Sequence, residues 1–451
     1  MRICLVGVCM TLIAGASCIV EERTRPTDSR HVSDRDRDHR GAPGERDHRG
    51  DHHADRDRVP ADEAGGAPPA DRDDGAVRAG TGSPVDLTDE VARRCDRGMA
   101  ELSDDLDEET TIGPDCFRVT STIDVEAQVV IEPGSTFVFE DGAGIQVRSD
   151  GRLRAEGTPG QEIIFSAEEP IPGYWRGIRY GGTNSTHNVL RNVIIEYAGS
   201  GHWRRGRRGG PANLTVHGAR LEIEDIVLQH GGAAGLWLHG TPEALTMSGN
   251  NVITGNEYPV RTNANSVALL PGDTSYSGND EDYIRIESGD VSDGGTWDSF
   301  NVPLYFDTSP DVEDNHLTIM SNELIFGQDR GLQVRGSASM ALSGAADAPV
   351  IFRGDEAIPG YWRGLRYGGT NSGQNSIEHV EIRDGGGGNW RRGRRGGPAN
   401  LTLHGSRVQT LHNLTVDNSA DDGIHLRGDP TVSWDCATVH NADGFNSTPP
   451  C

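Results

Sequence analysis

Eight arginines, gathered in two copies of one loop, are the side chains of this chain best equipped for recognition chemistry. The stretch WRRGRRGGPANLT runs from Trp203 to Thr215 and again from Trp390 to Thr402. The first copy carries Arg204, Arg205, Arg207 and Arg208, the second Arg391, Arg392, Arg394 and Arg395. A guanidinium is a planar, permanently charged fork that grips a carboxylate, sulfate or phosphate through two hydrogen bonds. Trp203 and Trp390 beside them can stack on a sugar ring or on a guanidinium face. The combination predicts retention of an acidic polysaccharide or lipopolysaccharide-like ligand. A plainer reading competes with it: duplication explains the identity, the arginines pair with nearby acids, and each tryptophan covers an edge of the fold.

The other candidates lack catalytic company. His217 and His404 recur in LTVHG and LTLHG, with no nucleophile or acid beside them, so a structural hydrogen bond at a turn is expected. Trp175 and Trp362 sit among strand residues in the shared YWRG motif and are expected to pack inward or against a stack edge. Asn279, Asp280, Glu281 and Asp282 cluster in SGNDEDY without an EF-hand or nonapeptide calcium pattern, and read as a solvated acidic turn. All 42 basic residues are arginine, so a lysine base is excluded, and a formal charge of -27 makes nucleic acid a poor partner. No catalytic residue, metal ligand or cofactor is predicted.

The elements that must hold these loops begin after a long leader. Met1-Arg2 and the apolar run Ile3 to Ala14 have the charged start and short hydrophobic core of a secretory signal. Leu12 to Cys18 is similar to a bacterial lipobox, with Gly15 where such boxes usually carry leucine; Cys18 is the predicted lipidation site, giving a membrane anchor, and residues 1–18 form the signal segment. Residues 19–84 are mixed in charge and almost devoid of large apolar side chains, which predicts a disordered tether. Scattered histidines there lack a scaffold for metal. With Cys4, Cys9 and Cys18 assigned to the leader, Cys95, Cys116, Cys436 and Cys451 remain, and the pairs closest in sequence are the candidate disulfides of an oxidising compartment.

Leu87, Val91, Cys95, Met99 and Leu102 recur at three- or four-residue intervals, predicting an amphipathic capping helix within residues 85–115. Beyond Cys116 the chain reads as short strands between Gly, Asn and Asp turns. IPGYWRGIRYGGTN begins at Ile171 and IPGYWRGLRYGGTN at Ile358, 187 positions on. The same offset pairs Ile145 with Leu332, Trp203 with Trp390 and His217 with His404, and one residue is gained before Gly235 meets Gly423. Two modules, 116–300 and 301–451, are therefore expected, built from coils that stack and pair along one axis. The expected class is all-β, a right-handed parallel β-helix.

The run VVIEPGSTFVFEDGAGIQVRSDGRLRAEGTPGQEIIFSA, with its second copy LTIMSNELIFGQDRGLQVRGSASMALSGAADAPVIF, resembles the exported right-handed parallel β-helix repeat proteins of bacteria, the pectin-lyase-like fold group. The resemblance spans roughly Cys116 to Cys436. That group includes polysaccharide lyases, glycoside hydrolases, adhesins and proteins without assigned chemistry, so it implies architecture and no single activity. Asp421-Asp422-Gly423-Ile424 resembles the paired aspartates of β-helical polygalacturonases, but the first module has Ala233-Ala234-Gly235-Leu236 there and the supporting motifs are missing. The expectation is a non-enzymatic cell-surface lipoprotein that binds acidic glycans through its Arg/Trp loops. An extracellular lyase or hydrolase and a structural envelope spacer are the alternatives.

Overall fold

Strands in this protein are short because each must end where the chain turns onto the next face. The structure, a computed structural model, describes residues 84, 86–203, 210–388, 390, 398–435 and 437–439. It is mostly β, and its strands pair in parallel to form stacked sheets in a solenoid-like arrangement. In the first half the chain visits three faces in rotation. The first face holds Cys116–Val119, Thr136–Phe139, Ile163–Ala167, Val193–Glu196, Val227–Gln229 and Val252–Thr254. The second runs from Thr122–Val125 through Gly144–Arg148, Ile178–Gly181 and Ala212–His217 to Tyr258–Asn263. The third includes Gln128–Ile131, Arg152–Glu156, Val189–Arg191 and Arg220–Glu224.

Alternation puts every second residue inside, so that Val129 and Ile131 are buried while Gln128 and Val130 are half-buried. Identical registers then bring like side chains together. Phe117, Phe137 and Phe165 stack at centroid spacings of 5.1 and 5.0 Å, close to the strand separation of about 4.8 Å. Corners between the third and first faces are turned by one left-handed residue: Asn192, Asp225, His379 and Asn413 have φ between 46° and 53°. Short polar side chains tolerate that conformation better than branched ones. In the second half the corner is so tight that the strands on either side merge, giving Ser376–Arg383 and Arg407–Asp417, each of which pairs on two faces. The extra residue of the second copy lies at a register shift between Val408 and Leu411.

The junction between the two copies shifts the faces. Tyr258–Asn263, on the second face, pairs with Ile284–Ser288, which pairs with Leu304–Phe306, then Glu323–Phe326 and Val350–Gly354. By the offset of 187, Val350–Gly354 corresponds to Ile163–Ala167 of the first face. Equivalent positions in the two copies therefore lie one face apart around the stack.

The predicted capping helix is shorter and differently placed. It spans Thr88–Arg94 and begins where the Asp86 carboxylate accepts the Thr88 N–H at 2.9 Å. Downstream residues of the predicted helix pair instead as strand Ala100–Leu102 beside Cys116–Val119. Instead of closing an end, the segment lies along the side of the first face, with Leu87 and Val91 packed on Ile164, Ile194, Val227 and Val252. Arg94 donates to the Glu162 carbonyl at 2.7 Å, and Cys95 is joined to Cys116 by a disulfide with Cα atoms 5.4 Å apart.

Candidate functional site

Trp203 and Trp390 occupy matching seats. They are only 5% and 8% exposed, and their Cη2 atoms come within 2.9 and 2.5 Å of where a β-carbon would stand on Gly144 and Gly331. The two glycines are themselves 187 positions apart, Gly144 as the first residue of its strand and Gly331 immediately before the equivalent one, so the missing side chain makes room for the indole. Buried this way, the rings cover a strand start and offer no face to a sugar. Among the described residues neither buried indole N–H has a hydrogen-bond partner. Arg204, Arg205, Arg207, Arg208, Arg391, Arg392, Arg394 and Arg395 lie outside the described residues, as do Cys18, Cys436 and Cys451.

The remaining sequence candidates resolve into structural roles. Trp175 and Trp362 are fully buried, stack on Phe139 and Phe326, and donate to the Glu196 and Arg383 carbonyls at 2.8 and 2.7 Å. His217 Nδ1 lies 2.7 Å from the His239 carbonyl oxygen. Asp422 shares a 2.8 Å contact with His425. In SGNDEDY the Asp282 carboxylate accepts the N–H groups of Gly278 and Asn279, and Asn279 accepts from Asn256, which in turn accepts from Asn213, each at 3.0 Å. That asparagine ladder ties consecutive turns together. Among the described residues no group of three or more His, Cys, Asp or Glu is placed to hold a metal ion.

Sequence reasoning missed a groove of about 590 Å³ on the second copy, lined by Glu323, Arg353, Asp355, Arg383, Asp384 and Asp417, with Asn418 at its rim. Strands Glu323–Phe326, Val350–Gly354, Ser376–Arg383 and Arg407–Asp417 lie side by side and supply the outward-facing row Arg353, Arg383, Asp417. Arg353 pairs with Glu323 at 2.5 Å, whereas the carboxylate paired with Arg383, that of Glu381, is 4.0 Å away. Asp384, 2% exposed, accepts from the Asn418 amide at 2.7 Å. Tyr305 donates to Asp355 at 3.4 Å, and burial, with Asp355 and Asp307 nearby, pushes its hydroxyl up to about 12.

The equivalent place on the first copy has different chemistry. Ser166, Glu196 and Gln229 stand where Arg353, Arg383 and Asp417 stand, and Ile194 and Val227 replace Glu381 and Thr415. Glu196 is 1% exposed and takes hydrogen bonds from Ser166 at 2.6 Å and Gln229 at 2.8 Å. Burial holds its carboxyl above the usual carboxylate range. The signal that could have exposed the groove was present in the alignment of the two copies: outward positions that are apolar or neutral in one and charged in the other. Comparison with family models, curated proteins and solved structures returns no match, so the functional reading rests on these residues.

Proposed function

We propose that the chain is an exported, non-enzymatic, right-handed parallel β-helix that binds acidic glycans at the cell surface through its two arginine loops, held to the membrane by a lipid on Cys18. The observation carrying this reading is the pair of matching seats: Trp203 over Gly144 and Trp390 over Gly331 root the two RRGRR stretches at equivalent stations. In this reading the tryptophans anchor the loops and the guanidinium groups make the contact. Right-handedness is favoured because a twisted strand feeding a parallel neighbour returns to its sheet that way in nearly all proteins. The Cys95 to Cys116 disulfide favours an oxidising compartment. The overall negative charge does not defeat local anion binding, since repulsion between exposed charges fades over about 10 Å at ordinary salt.

The test is retention of the full chain on immobilised polygalacturonate and alginate. Replacing all eight loop arginines with serine should abolish retention, and a thermal midpoint within about 2 °C of the wild-type value checks that the fold is intact. Unchanged retention would reject the proposal. Release of unsaturated or reducing sugars by the wild-type chain would instead support the lyase or hydrolase alternative.

A further inference from the structure

Arg383 provides the starting point: at 40% side-chain exposure it lines the groove of the second copy, and among the described residues the carboxylate paired with it is that of Glu381 at 4.0 Å. Around it the groove supplies four carboxylates, from Glu323, Asp355, Asp384 and Asp417, against the two guanidinium groups of Arg353 and Arg383. An excess of negative charge repels a polyanion, so the groove is unsuited to the acidic glycans assigned to the arginine loops. An amphipathic helix like the one covering the first copy is also unsuited. The apolar positions Ile194 and Val227 that pack with Leu87 there are Glu381 and Thr415 here, and covering a charged group with leucine is costly.

Neutral polyhydroxylated molecules match what remains. A carboxylate accepts two neighbouring hydroxyls at once, and a guanidinium donates to ring and bridging oxygens that have no proton to give. Sugars offer both groups at every residue. The volume of about 590 Å³ is that of sites which enclose a small organic ligand. Two tyrosines adjoin residues that line the groove: Tyr305 is bonded to Asp355, and Tyr361 lies within 3.0 Å of a β-carbon position on Gly354. Asp384 and Asn418 are both left-handed, with φ of 67° and 53°, and their mutual hydrogen bond fixes one wall in advance of binding.

We infer that this groove is a second, independent binding site, and that its ligand is a short segment of neutral glycan. The site is separate from the loops in residues, charge and ligand class, so either proposal can fail without the other.

Isothermal titration of the full chain with cellohexaose, xylohexaose, mannohexaose, maltohexaose and hexagalacturonate tests it. Binding of at least one neutral hexasaccharide is expected, weakened tenfold or more by Arg383→Gln combined with Asp417→Asn and unaffected by serine at the eight loop arginines. Asn418→Gly gives a second variant whose backbone tolerates the left-handed conformation; loss of the Asn418 amide from the wall should weaken binding severalfold with the fold intact. The inference is overturned if no neutral hexasaccharide binds, if neutral binding survives both groove variants, or if hexagalacturonate binding is what those variants remove.

Discussion

Ile194 and Glu381 occupy the same station in two copies of one repeat, yet the first lies under a leucine and the second faces solvent. The contrast extends to Val227 and its equivalent Thr415, while Ile164 and Ile351 stay alike. In the first copy Ile164, Ile194, Val227 and Val252 make an apolar strip that a sheet cannot leave open to water, and Leu87 and Val91 cover it. In the second, the equivalents of Ile164, Ile194 and Val227 are Ile351, Glu381 and Thr415, with Arg353, Arg383 and Asp417 in the outward row beside them, a more polar strip than the first. The corner residues follow suit: Tyr197 stacks on His230 at 5.1 Å, while their equivalents Asp384 and Asn418 share a hydrogen bond. Duplication thus supplied two similar scaffolds, and divergence at outward positions such as Ile194 and Glu381 leaves the first copy's face covered by the chain's own segment and the second copy's face more polar.

Exchanging single residues between the faces should break this symmetry of scaffold and asymmetry of surface. The largest effect is expected from Ile194→Glu, which places a carboxylate under Leu87; urea denaturation should show a loss of about 3–4 kcal/mol. Next comes Cys95→Ser with Cys116→Ser, which frees the segment from the sheet; for a bridge spanning 21 positions the expected loss is about 3 kcal/mol.

A smaller effect is expected at Glu196. Because burial raises its native pKa, the unfolded chain ionises first as pH rises, so the stability this group contributes is complete below the usual carboxylate range and is lost as pH climbs through the native value. Glu196→Gln should therefore leave the midpoint unchanged near pH 4 and raise stability by about 1 kcal/mol at pH 7; an equal effect at both pH values would show that ionisation is not involved. Smallest of all is the reciprocal exchange Glu381→Ile, expected within about 0.5 kcal/mol because the position is half-exposed and nothing among the described residues covers it.

The duplicated strands were legible because alternation and turn residues are local signals, and the inward seat of Trp175 and Trp362 followed from their strand setting. The helix was legible as a helix but not in its extent or placement. Its periodicity continues to Leu102, but the helix ends at Arg94, the chain turns through the left-handed Gly98, and Ala100–Leu102 pairs with Cys116–Val119. Trp203 and Trp390 beside arginine fit either stacking on a ligand or covering an edge of the fold; the glycines that receive them lie 59 positions upstream, beyond any local pattern that could decide between the two. The groove is not legible in the second copy taken alone, since Arg353, Arg383 and Asp417 come from strands some 30 positions apart; setting the two copies side by side is what brings out its charged outward row.

What the amino-acid sequence determined by itself was the repeat, its strand-and-turn grammar and the residues that alternate into the core, because each depends on near neighbours. Tertiary structure alone decided that the second copy is set one face round from the first, through the pairing of Ile284–Ser288 with Tyr258–Asn263, and that the helix lies along a side. Both are choices between surfaces of similar local sequence, made by which apolar strip remained to be buried and which unpaired strand edge remained to be met.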